Sequence, residues 1–145
     1  MAALSTAYEA YEKPGLVVNY LLAAAQVFKG ALVGVNSSGY LLPMSHATAS
    51  LKFVGVAGES VNNGGSAGDA AANVAKSGSF VFKAASGFTP AQADIGKEVY
   101  AYTDWEVQIS TSGLTTQYKV GTIVALETTS TGAAGVRVRI DEYVV

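Results

Sequence analysis

From residue 16 onward the chain is a succession of short apolar or alternating runs, each cut off by glycine, serine or asparagine. Runs of this length, bounded this way, read as β-strands. Residues 30–35 are apolar and bounded, Asn36-Ser37-Ser38-Gly39 turns the chain, and Tyr40-Leu41-Leu42 returns before Pro43. That pattern predicts a β-hairpin with a four-residue loop. Residues 51–57 form the next strand, and Gly55 near its centre marks a bulge or a close backbone approach. Residues 79–84 alternate, which points Phe80 and Phe82 into the core. Residues 98–109 alternate over a longer span. Val99, Ala101, Trp105, Val107 and Ile109 fall on one face, and Glu98, Tyr100, Tyr102, Asp104, Glu106 and Gln108 on the other. A turn near Thr103-Asp104 splits this run into two strands without changing the assignment. Residues 118–126 are apolar on both faces, as in a central strand, and Val136, Val138 and Ile140 alternate with Arg137, Arg139 and Asp141 in the last strand.

The connections carry fewer signals. Residues 62–68, Asn-Asn-Gly-Gly-Ser-Ala-Gly, read as a flexible surface loop; no Gly-Lys-Ser/Thr follows, so the loop lacks the pattern that cradles phosphate. Residues 70–75 are alanine-rich and form either a turn of helix or the entry to the next strand. Thr89-Pro90-Ala91-Gln92 is a helix start, with Thr89 as cap, Pro90 in the first helical position and Gln92 completing a capping box, and Gly96 stops that helix. Residues 1–15 form an N-terminal arm ending at the break Lys13-Pro14-Gly15. Tyr8 and Tyr11 on this arm either anchor a partner, since tyrosine gives large contact area at low entropy cost, or pack on their own domain. The expected fold is therefore all-β and mainly antiparallel. It is a small β-barrel or β-sandwich over residues 16–145 with one short helix and an N-terminal arm.

Composition narrows the function. At 145 residues the chain is one domain, large enough to fold without a metal or disulfide staple. Only 14% of residues are charged, against roughly one quarter in an average soluble domain, and a weakly charged exterior favours association. Net charge is −2, and the densest basic pair, Arg137 and Arg139, sits beside Asp141 and Glu142 as a mixed solvated face, so no direct nucleic-acid contact is expected. There is no cysteine, which removes disulfides, thiolate metal sites and cysteine nucleophiles. Residues 1–11 lack a basic run before an apolar core, and residues 16–28 are too short to span a bilayer and are interrupted by Asn19 and Gln26. The expectation is a chain used in the cytoplasm where it is made, without a membrane partner.

Catalytic constellations are hard to find. His46 is the only histidine and sits in a polar, loop-like stretch, which reads as a solvated residue. One histidine without cysteine is a poor start for a zinc site. Asp69, Asp94, Asp104, Glu106 and Glu127 have no spacing that forces two carboxylates together; Asp104 and Glu106 share a strand face, as ordinary exposed residues do. Carboxylates from distant strands can still pair. Trp105, Tyr100 and Tyr102 invite comparison with an aromatic platform for a sugar or base, but alternation sends Trp105 to the opposite face, into the core. The chain is thus expected not to be an enzyme, with no catalytic residue, metal or cofactor.

The order of strand signals resembles the small capsid cement, or head-decoration, proteins of tailed bacteriophages. The stretches that carry the resemblance are Phe28-Lys29-Gly30-Ala31-Leu32-Val33, Ser38-Gly39-Tyr40-Leu41-Leu42-Pro43, Val54-Gly55-Val56-Ala57 and Val74-Ala75-Lys76-Ser77-Gly78-Ser79-Phe80. They continue with residues 96–104, Val120-Gly121-Thr122 and the closing Val-x-Val-x-Ile strand, covering most of residues 16–141. The resemblance implies a β-module on the outer surface of the virion head, present in the host cytoplasm before assembly. It also implies a homotrimer that clamps neighbouring major capsid protein subunits against the pressure of packaged DNA, with terminal arms reaching adjacent capsomers. Tyr8, Tyr11, Lys13, Pro14 and Tyr20 are the candidate capsid or inter-subunit contacts. The competing expectations are a carbohydrate- or surface-binding β-module of a virion fibre and, least favoured, a small hydrolase or isomerase using acids from separate strands.

Overall fold

The computed structural model describes residues 5–7 and 15–141. Of the candidate contacts, Tyr8, Tyr11, Lys13 and Pro14 lie outside the described residues and Tyr20 lies within them. Regular structure is almost entirely strand: β1 (Val17–Leu21), β2 (Gln26–Val27), β3 (Leu32–Val35), β4 (Leu41–Pro43), β5 (Lys52–Ala57), β6 (Val61–Asn62), β7 (Ala71–Ala75), β8 (Ser77–Ala84), β9 (Glu98–Ala101), β10 (Glu106–Gln108), β11 (Lys119–Thr128) and β12 (Ala134–Asp141). The all-β, mainly antiparallel expectation is met. Five strands close into a barrel in the order β10-β8-β12-β11-β9, with β8 and β10 as the one parallel pair in it. Five others form an antiparallel sheet in the order β1-β7-β5-β3-β4, and β2 and β6 make a two-stranded ladder.

Alternation explains the barrel. Phe82, Val99, Ala101, Val107, Val120, Ile123, Val136, Val138 and Ile140 all point into one buried cluster. A one-residue slip of β12 would put Arg137 and Arg139 inside in place of Val136, Val138 and Ile140. Burying each of those side chains contributes about 1.5–3 kcal/mol, so the register is fixed by burial. The sheet is buried differently. Leu32 and Val56 face the barrel cluster, while their neighbours Val33 and Ala57 join Leu22, Val27, Leu41, Val54, Ala72 and Val74 in a second cluster. Strands buried on both faces read as continuous apolar runs, which is the pattern of residues 31–33 and 54–57.

Gly55 fulfils its predicted role. Its φ is 149°, a Cβ there would collide with the Ala75 carbonyl, and the β3–β5 register shifts beside it. The hairpin turn also forms as expected, with the Asn36 side chain accepting from the N–H groups of Ser38 and Tyr40, both at 3.0 Å.

The sheet and the barrel are stitched together by backbone and side-chain bonds. Leu32 N donates to Asp104 O at 2.7 Å, and His46 N to Tyr102 O at 3.2 Å. The buried Tyr118 hydroxyl accepts from Leu51 N at 3.0 Å and donates to Thr48 O at 2.6 Å.

Three local expectations need correction. First, Trp105 is not in the core; it is 47% exposed. Val107 pairs with Ala101, so the alternation on either side keeps its phase. The residues between belong to a turn, closed by Tyr102 N donating to Glu106 O at 2.8 Å, and turn residues do not follow strand periodicity. Second, Gln108 is buried, because its amide donates to Ser110 O and Ser112 O at 2.8 and 3.2 Å and so ties down the following loop. Third, the short helix is a single 3-10 turn, Gln92–Asp94, capped at Ala91. The carboxylate of Asp94 reaches back to accept from Ala91 N at 2.9 Å, so neither Thr89 nor Gln92 supplies the cap.

Candidate interaction surfaces

β1 is an edge strand. Lys76 N donates to Leu16 O at 2.9 Å and Leu22 N to Ala70 O at 2.8 Å, which brackets the β1–β7 ladder. The even-numbered residues of β1 therefore bond to β7, and the N–H and C=O groups of Val17 and Asn19 point to the open side, while at the end of the strand a parallel bridge between Leu22 and Leu41 joins it to β4. The side chains there are apolar and solvent-facing: Leu16, Val17 and Leu21 are 72%, 57% and 50% exposed. On the other face Tyr20 packs partly against the second cluster. Its hydroxyl accepts from Lys76 Nζ at 2.7 Å, and the same ammonium stands 5.1 Å from the ring centroid. Among the described residues, Tyr20 thus serves the join between β1 and the end of β7.

Past β1 the sheet curls back on itself, with Ala23 N donating to Leu41 O at 3.0 Å. The loop of residues 62–68 is exposed over most of its length, yet Asn63 within it is buried. The Asn63 amide donates to Leu22 O, Ala23 O and Ser66 O at 3.3, 3.0 and 2.9 Å, fastening the loop to the corner where β1 ends.

A second apolar exposure lies on the barrel. Lys83 Nζ stands 5.3 Å from the Trp105 ring centroid and 3.1 Å from Glu106 Oε2, and Thr103 Oγ1 donates to the other Glu106 oxygen at 3.1 Å. Val81 shares the outward face of β8 with Lys83 and sits opposite Arg137, which is paired to Glu127 at 2.7 Å. Val81 and Val124 are both exposed. This surface combines an exposed tryptophan and an arginine with aliphatic neighbours, the composition enriched at the energetic centres of interfaces. Burial raises the carboxyl pKa of Asp104 above its ordinary value, the neighbouring Glu106 charge acts in the same direction, and a backbone hydrogen bond opposes them.

His46 is more engaged than its loop setting predicts. Its ring stacks on Tyr102 with centroids 4.6 Å apart, and its Nδ1 accepts from Thr115 N at 3.2 Å. Tyr102 is thus drawn to His46. An open groove of about 540 Å³ lies along Gly96, Lys97, Glu98, Tyr100, Ile109 and Ser110. Among the described residues no cluster of three or more histidine, aspartate or glutamate side chains is placed to hold a metal. No helix among them is long and apolar enough to cross a membrane.

Sequence reasoning missed the β1 edge, because the apolar stretch of residues 16–28 does not announce which part of it pairs. The usable signal was the alternation Val17, Asn19, Leu21 against Val18, Tyr20. Comparison of the chain with protein-family models, with curated proteins and with solved structures gives no match.

Proposed function

We propose that this chain is a structural decoration protein, acting as a homotrimer on the outer surface of a phage head and clamping neighbouring major capsid subunits against internal DNA pressure. The observation that carries the reading is the pair of separate apolar exposures on one chain, the β1 edge with Leu16, Val17 and Leu21 and the barrel face with Trp105, Val81 and Val124. A clamp needs at least two contact surfaces, and both cores of this chain are already closed without these residues. Joined in one oligomer, several contacts act at once and the effective affinity rises steeply. The test is co-sedimentation with capsids stripped of the protein: saturable uptake supports the reading, and no uptake at any concentration removes it.

The exposure of Trp105 also favours a second reading, a glycan-binding module of a virion fibre, because a solvent-facing indole is the aromatic surface on which a sugar ring can stack. A change in Trp105 fluorescence on adding members of a broad glycan panel is the expected signature. A silent panel removes this reading.

A further inference from the structure

We infer that the open edge of β1 takes residues 8–13 of a second copy of this chain as an added strand. The inference deepens the self-association within the proposed function. Its test needs no capsid, so failure to bind capsids and failure of this contact are separate results.

The edge is built to accept a strand. Val17 and Asn19 present their backbone N–H and C=O groups to the open side, and β7 is their one ladder partner among the described residues; past them the strand is joined to β4 by the parallel bridge between Leu22 and Leu41. Free edges are ordinarily blunted by a lysine, a proline or a bulge, and residues 17–21 contain no charge, no proline and no register shift. The opposite edge of the same sheet contrasts with it. β4 ends in Pro43, which has no N–H to donate, and the Leu41 carbonyl is already taken by Ala23 N. Among the described residues the stretch of β1 from Val17 to Asn19 carries no such guard.

The length and attachment of the preceding chain say what covers it. Residues 8–13, Tyr-Glu-Ala-Tyr-Glu-Lys, join β1 through Pro14-Gly15. Extended, six residues span roughly 20 Å at about 3.3 Å each, enough to cover the five residues of β1. To lie along β1 of its own chain, the segment must reverse in the two residues Pro14-Gly15. Proline in the first central position sets φ near −65° and gives a type I or II turn, whose twist opposes that of paired strands. A neighbouring copy does not meet that constraint. Alternation in the segment places Tyr8 and Ala10 on one face and Tyr11 on the other, so either register sets a tyrosine near the exposed Val17 or Leu21 as an aromatic–aliphatic cross-strand pair.

The chain contains no cysteine, so single cysteines report position cleanly. Full-length Ala10→Cys and Asn19→Cys variants are mixed and treated with a short bis-maleimide. The expected result is a cross-linked heterodimer several-fold more abundant than that formed between Asn19→Cys and a control, Ser130→Cys, in the exposed turn between β11 and β12. Light scattering of the unmodified chain is expected to show more than one copy. Asn19→Pro removes one outward N–H and lowers the measured mass to one chain. Val17→Lys with Leu21→Lys keeps the strand backbone and gives the same loss, which covers the case in which the proline variant fails to fold. Equal cross-linking to the control overturns the inference. So does an Ala10→Cys, Asn19→Cys double variant that links within a single chain at monomer mass, because the segment then covers its own edge.

Discussion

At Gly55 a backbone φ of 149° coincides with a site where a Cβ would meet the Ala75 carbonyl and Val74 Cγ1. Gly121 faces a similar clash with the Arg139 carbonyl. Gly55→Ala combines backbone strain with overpacking, each on the order of 1–3 kcal/mol, and a loss of about 3 kcal/mol in urea unfolding is expected. Asn63→Ala leaves the Leu22, Ala23 and Ser66 carbonyls without their shared donor, and a loss of about 2 kcal/mol by the same measurement is expected. The two perturbed aspartates act in opposite senses with pH. Asp94 is held below its ordinary value chiefly by the Lys97 hydrogen bond and next by the Ala91 N–H, so its contribution is complete above the usual carboxylate range and fades as pH falls through the lowered pKa. Asp104 is raised by burial, so its contribution is complete below the usual carboxylate range and fades as pH rises through the raised pKa. Asp104→Asn should therefore raise the melting temperature at neutral pH and bring no gain near pH 3, where the native carboxyl is protonated. A gain of equal size at both pH values contradicts burial as the cause.

Strand by strand, legibility follows how local the cause of burial is. β12 was readable because Val136, Val138 and Ile140 alternate with charged residues, and that pattern alone selects a face. β8 was readable for the same reason, with Phe82 buried and Phe80 packed at the margin of the cluster. β1 was not, because its partner is β7, some fifty residues on, and nothing near it in sequence reveals that pairing. Trp105 misled because periodicity was carried through a turn, and the turn is set by hydrogen bonds from Tyr102 and Thr103 to the Glu106 carbonyl. The loop of residues 62–68 looked featureless, since glycine and serine say nothing of one buried asparagine within them. At this scale Tyr118 links elements: its hydroxyl bonds Leu51 N and Thr48 O ahead of β5, while its ring lies in the barrel cluster. Tyr118→Phe leaves a buried N–H unpaired, and a loss of about 1–3 kcal/mol in stability is expected, read by urea unfolding. No change beyond a few tenths places that bond outside the joint between sheet and barrel.

Taken as a whole molecule, the chain closes two cores and still leaves apolar side chains outside both, on the β1 edge and around Trp105. With only 14% charged residues, little on the surface opposes association. A protein that joins its own copies and a shell at the same time gains affinity from number, not from any single contact. The most direct measurement is a binding isotherm of the purified chain on capsids stripped of it, with light scattering of the free chain alongside. If the proposed decoration role holds, uptake is saturable, in multiples of three at each threefold position, and is abolished by the Val17→Lys, Leu21→Lys pair. A monomer that leaves capsids bare at every concentration contradicts it.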